Sequence, residues 1–215
     1  MENQPHNRPP HYLLWIICGV AGFFYFYEYL LRVIPSVMTQ QLVYAYQLSA
    51  ATFSNLVGGF YFIYIPMQLF IGIFFYHFTS RRLLTFGSLS CALGCLLFAN
   101  ANYFWIAFVG RLLMGCGAAF MFLGALKLVS VWSRSNLFTL IVGIVIGFGM
   151  LGGLVGDIVL TAIVNKGGWR LANYFVGAIG ALLALAVFFV LRDRKKQKYL
   201  VDEPYLFCNA ESGCS

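Results

Sequence analysis

Six long apolar runs follow one another along the chain, at about 13–37, 51–76, 83–100, 104–129, 137–163 and 172–191, separated by short polar gaps. A helix needs ~20 residues, at ~1.5 Å each, to cross a hydrocarbon core, and each run meets or approaches that length. Lipid offers backbone N–H and C=O groups no partners, so runs that span it must be helical. Apolar residues fill each run rather than one stripe of it, which distinguishes these segments from the amphipathic helices of a water-soluble core. With 61% hydrophobic and 10% charged residues, most of the chain has lipid as its solvent. The expected fold class is all-α, a polytopic membrane protein with six transmembrane helices.

The stretches "TQQLVYAYQLS", "HFTSRR", "NAN", "SRSN" and "NKGGWR" supply the turns between spans. A cytoplasmic N-terminus places Arg8, Arg81, Arg82, Arg134, Arg192, Arg194, Lys195, Lys196 and Lys198 on the cytoplasmic side, and only Lys166 and Arg170 opposite. Basic residues accumulate on the cytoplasmic side, so this asymmetry predicts a multi-pass protein of the plasma (inner) membrane with both termini inside. Trp105, Trp132 and Trp169 fall near span ends, where an aromatic belt would lie. Residues 1–12, beginning "MENQPHNRPPH", have no signal-peptide cleavage site and are expected to be a disordered cytoplasmic tail. Residues 13–191 form the membrane domain, and 192–215 a basic cytoplasmic segment with a linker-like tail.

A net charge of +7 would point to nucleic acid in a soluble protein. Here the basic residues sit in loops and in the knot "RDRKKQK", without aromatics interleaved on a polar face, so the expected partner is the bilayer and no nucleic acid. Cys18, Cys91, Cys95 and Cys116 lie in apolar runs and read as small hydrophobes; Cys91 and Cys95 lack the further ligands a zinc site needs. The histidines, His6, His11 and His77, lie in the tail or a loop. No intramembrane Ser/His or metal-ligand group can be assembled, and there is no P-loop, so the chain is not expected to be an enzyme.

Glu28 and Arg32 are the exception to the apolar pattern of the first run, "FYFYEYLLRVIPSV". An unpaired charge at mid-bilayer costs ~3 kcal/mol on insertion scales, so it normally faces a partner or water. At i and i+4 the two share one helix face, adjoining Tyr25 and Tyr29. At ~1.5 Å per residue, Glu28 lies about 22 Å from the inner end of span one and Arg111 about 27 Å from that of span four. The three charges therefore share a depth, with a net positive excess suited to the carboxylate or phosphate of a solute. The competing reading is an ion pair that only braces helices. Glu28 is also a candidate carrier of a coupling proton. Gln68, on one face of span two with Tyr61 and Tyr64, is a candidate uncharged lining residue. Lys127 is placed to snorkel to headgroups, and Asp157 to pair with Lys166 or Arg170. Glycines 143, 147, 149, 152, 153 and 156 permit close helix approach in span five.

From about residue 13 to 198 these features resemble the N-terminal half of a major facilitator superfamily (MFS) transporter. The loop "GIFFYHFTSRRLL" is similar to the family's signature loop: Gly72, Arg81 and Arg82 match, whereas Tyr76, His77 and Thr79 replace the expected Asp, Arg and Gly. Those replacements weaken its role as a conformational switch. Arg111 and Gly115 match the span-four pattern of Arg, three residues, Gly, and "GGWR" at 167–170 also matches. Gly143, Gly147, Gly152 and Gly153 resemble the antiporter glycine motif without its proline, so exchange does not follow from them.

The resemblance implies one MFS half, made of two three-helix inverted repeats, with spans one and four lining a solute path. Glu28, Arg32, Arg111, Tyr25, Tyr29 and Gln68 are then the expected solute-binding residues. The implied function is secondary-active transport of a small polar or anionic organic solute by alternating access, with no cofactor beyond a coupling proton or ion. Alternating access needs a second six-helix half, supplied by a second copy or a separate chain. The alternative is a truncated, non-transporting half or scaffold.

Overall fold

A computed structural model describes residues 11–73, 78–132 and 135–190. Arg8, Tyr76, His77, Arg134, most of the expected N-terminal tail and the whole basic segment 192–215 lie outside the described residues. The chain order is α1 (His11–Val37), α2 (Thr39–Tyr46), α3 (Ala50–Ile73), α4 (Ser80–Ala99), α5 (Phe104–Trp132) and α6 (Ser135–Val190).

Helix α6 covers two expected spans. Only Gly168 interrupts it, at φ 78° and ψ 174°, a conformation open essentially to glycine alone. On either side of this residue the chain packs against the same level of α1. Gly152 meets Phe26, and Gly180 meets Tyr27. Residues 135–167 and 169–190 are therefore antiparallel arms folded back at Gly168. The sequence led us to expect a loop over "NKGGWR"; one glycine makes the turn, and both arms stay helical up to it. With α1, α3, α4 and α5 the two arms make six crossings. Among the described residues, the segments Ala50–Ile73, Ser80–Ala99, Phe104–Ser130 and the folded-back Leu137–Phe189 are each long and apolar enough to span.

The stretch after α1 is also not the plain connection expected. Thr39–Tyr46 forms α2, with Leu42 buried in the core and Gln47 closing the helix in the left-handed conformation. Helix α2 holds the Gly168 reversal. Gln41 Oε1 accepts the Trp169 N–H at 2.8 Å, and Gln41 Nε2 donates to Val164 O at 3.5 Å. The break in α6 would otherwise leave these backbone groups unpartnered. Nearby, Tyr46 donates to Ala101 O, Tyr174 to Asn100 Oδ1 and Arg170 to Asn102 Oδ1. Arg170 thus takes an asparagine rather than the expected Asp157, which is exposed on the preceding arm and forms no ion pair among the described residues. At the opposite end, Arg81 donates to Phe188 O and stacks on its ring, while Lys127 donates to Phe78 O.

Small residues set the helix spacings. A Cβ on Gly87 would lie 2.7 Å from Gly117 O, and one on Gly94 2.8 Å from Gly110 O, so α4 and α5 meet backbone to backbone. The span-five glycines divide. A Cβ on Gly152 would lie 2.5 Å from Phe26 O, and on Gly153 at an ordinary 3.6 Å from Tyr29, whereas Gly143 and Gly147 have nothing within 4 Å. Gly152→Ala should therefore lower thermal stability in detergent, with overpacking of ~1–3 kcal/mol. Gly147→Ala should leave it within about 0.5 kcal/mol; equal effects in a thermal unfolding assay would contradict this packing.

Candidate functional site

The polar centre is built on α1, α3 and α5. Glu28 is completely buried, and its Oε1 accepts from Arg32 Nη2 and, at 3.0 Å, from Tyr64 Oη on α3. Arg32 Nη2 also donates to Tyr64 Oη at 3.0 Å, closing a three-membered network. The i, i+4 spacing on α1 permits the ion pair, and the stacking of Tyr64 on Phe60 directs the phenol toward it. Burial of a carboxylate in hydrocarbon is tolerated because a full charge and a hydroxyl meet one of its oxygens. Glu28 Oε2 and Arg32 Nε are buried with no partner.

Aromatic rings enclose the Arg32 guanidinium. Its Cζ lies 5.0 Å from the ring centroids of Tyr29 and Tyr64, and about 6 Å from those of Phe60 and Tyr61. Unlike Glu28, the Arg32 side chain keeps 21% of its surface exposed, and Tyr61 beside it is 40% exposed. The centre is thus closed toward the bundle and open along the α1/α3 face carrying these two residues.

Arg111 is held differently. It is 1% exposed, and its Nη1 donates to Leu31 O on α1 at 3.1 Å. Leu31 lies four residues before Pro35, which sits inside α1. Proline has no N–H, so the carbonyl four residues earlier loses its helical hydrogen bond. Arg111 supplies the missing donor across the helix interface. Its Cζ also lies 5.1 Å from the Phe60 ring, the same ring that approaches Arg32. The three charges therefore gather around one segment of α1 and one phenylalanine, but Arg111 meets the backbone rather than Glu28, and its Nε is buried without a partner.

Of the other expected site residues, Tyr25 is buried against Tyr29 and Phe122, and Tyr29 lies under Arg32. Gln68 is half-buried one turn beyond Tyr64, with no hydrogen bond among the described residues. Gly72, at the end of α3, has open space around it; Arg81 holds the end of the second α6 arm, and Arg82 lies on the surface. Sequence reasoning did not single out Phe60, Tyr64 as the bridging hydroxyl, or Gln41. Only Arg111's contact carried a readable signal, the Leu31–Pro35 spacing in a span.

The sequence profile of the Major Facilitator Superfamily matches residues 13–204. The chain belongs to the major facilitator superfamily. This is a family of carriers rather than enzymes, and its half-fold of six helices is the one found here. Among solved structures, the chain is similar to a bacterial homologue of the human lysosomal transporter Spinster, in an inward-facing and unoccupied conformation. The TM-score is 0.76 at 17% identity, over 89% of this chain and 47% of that one, so the likeness is one of fold. The chain spans about half the length of that transporter. No curated protein matches the chain.

The Arg111–Leu31 bond predicts energetic coupling between Arg111 and Pro35. Pro35→Ala restores a backbone donor to Leu31 O, so Arg111→Met should cost less in that background, by about 1 kcal/mol. A double-mutant cycle of thermal stability in detergent measures this; additive effects would remove the capping role.

Proposed function

We propose that this membrane protein is one six-helix half of a secondary-active transporter that moves a small polar or anionic organic solute by alternating access. The observation that carries this reading is the Arg32 guanidinium. It is held by the buried Glu28 and Tyr64, yet the Arg32 side chain keeps 21% of its surface exposed beside Tyr61 on the α1/α3 face. Guanidinium donors fit carboxylate and phosphate oxygens bidentately, and an aromatic surround limits competition from water. Glu28 Oε2, buried and unpartnered, is the proposed position for a coupling proton, since a proton there leaves both bonds to Oε1 in place. A second six-helix half completes the path, either another copy of this chain or a separate polypeptide. Both termini lie on the cytoplasmic side of a plasma (inner) membrane, a reading supported by the basic residues 81, 82, 134, 192, 194, 195, 196 and 198 along the sequence.

The test is a thermal-shift screen of the purified protein against small carboxylates and phosphate esters, followed by uptake into proteoliposomes. Arg32→Ala should abolish solute-dependent stabilisation while membrane insertion is unchanged. Glu28→Gln should retain binding but lose accumulation driven by a pH gradient. Undiminished binding in Arg32→Ala would count against the site.

A further inference from the structure

At the end of α4 away from the Gly168 reversal, a cavity of about 260 Å³ is lined by Phe78, Arg82, Leu83, Phe86 and Phe120. Phe86 and Phe120 form its wall edge to face, 4.9 Å apart, and Phe78 and Phe86 are 40% and 54% exposed, so the cavity opens on the outer surface of the bundle. Apart from Arg82, this lining is apolar. Among the described residues the Arg82 guanidinium has no hydrogen bond, ion pair or ring contact, whereas neighbouring Arg81 is engaged by Phe188. Among the described residues no carboxylate is at hand to neutralise it. Between residues 11 and 190 the acids are Glu28, buried and paired with Arg32, and Asp157, in the half of its arm nearer the Gly168 reversal.

One further feature adds positive potential at the same end. Thr79, the residue capping α4, makes no side-chain cap bond, and its Oγ1 is buried without a partner at the N-terminus of a 20-residue helix, the positive end of its dipole.

We propose that this cavity binds one anionic phospholipid, with its phosphate on Arg82 and an acyl chain between Phe78, Phe86 and Phe120. A free phosphate ion would meet the charge but leave the aromatic walls unused. A basic residue at the mouth of an apolar pocket between spans, near a membrane surface, satisfies headgroup and chain together.

The experiment measures phosphatidylglycerol and phosphatidylcholine binding to the full chain in detergent by native mass spectrometry. Wild type prefers phosphatidylglycerol; Arg82→Gln loses about fivefold of that preference, Arg82→Lys retains most of it, and Arg81→Gln leaves it unchanged. Phe86→Trp, which fills the cavity, weakens phosphatidylglycerol binding while Arg82 is intact. Retained preference in Arg82→Gln, or an equal loss in Arg81→Gln, would overturn the proposal. Displacement by inorganic phosphate at concentrations comparable to the lipid would also overturn it, marking a plain anion site.

Discussion

Hydrocarbon supplies no hydrogen bonds, so every polar group inside the bilayer must find its partner within the protein. That constraint governs the helices themselves, and it is most visible where the helical pattern fails. Pro35 removes the donor for Leu31 O, and Arg111 of α5 replaces it. Gly168 breaks α6, and Gln41 of α2 takes up backbone groups on both sides of the break. In each case a side chain from another element repairs the backbone, and the repair fixes how two elements sit together.

Helix α1 carries the proline break and two of the three charges, which makes it the organising element. Its Glu28 face turns to Tyr64 of α3, its Leu31 carbonyl to Arg111 of α5, its Phe26 backbone to Gly152 of the first α6 arm, and its Tyr27 hydroxyl to Val176 O of the second. Phe60 joins the polar groups, since the guanidinium carbons of Arg32 and Arg111 both lie within 6 Å of its ring centroid. A displacement of α1 would therefore act on both arginines together. This is the structural link between packing and any function that depends on movement of the helices.

Much of this was legible in sequence, because two of its signals are strong in a membrane chain. Apolar length located the six crossings, and helical spacing put Glu28 and Arg32 on one face, where they pair. Two kinds of feature were not legible. Polar connections such as "TQQLVYAYQLS" and "NKGGWR" have no periodicity that distinguishes a loop from a short interfacial helix, or a loop from a single-residue reversal. Partners across helices, such as Arg111 with Leu31 O or Arg170 with Asn102, depend on rotation about each helix axis, which hydropathy leaves undetermined because the spans are apolar on every side. The glycine pattern shows the same limit. Gly143 and Gly152 look alike in sequence, yet one has open space and the other touches Phe26.

The charge balance of the centre bears on the kind of solute proposed for it. Glu28 and Arg32 cancel, while Arg111 has no acidic partner among the described residues, so the cluster carries an excess positive charge in a low-dielectric setting. There an uncompensated cation is costly, and a bound anion recovers more free energy than it would in water. A cationic solute would add to the excess, and a neutral one would gain only hydrogen bonds. Arg111 itself is sealed beneath α1, so an anion entering from the α1/α3 face meets Arg32 first and interacts with Arg111 at longer range. On the proposed function, selectivity by charge would come from both arginines, and selectivity by shape from the rings of Tyr29, Tyr61 and Tyr64 around Arg32.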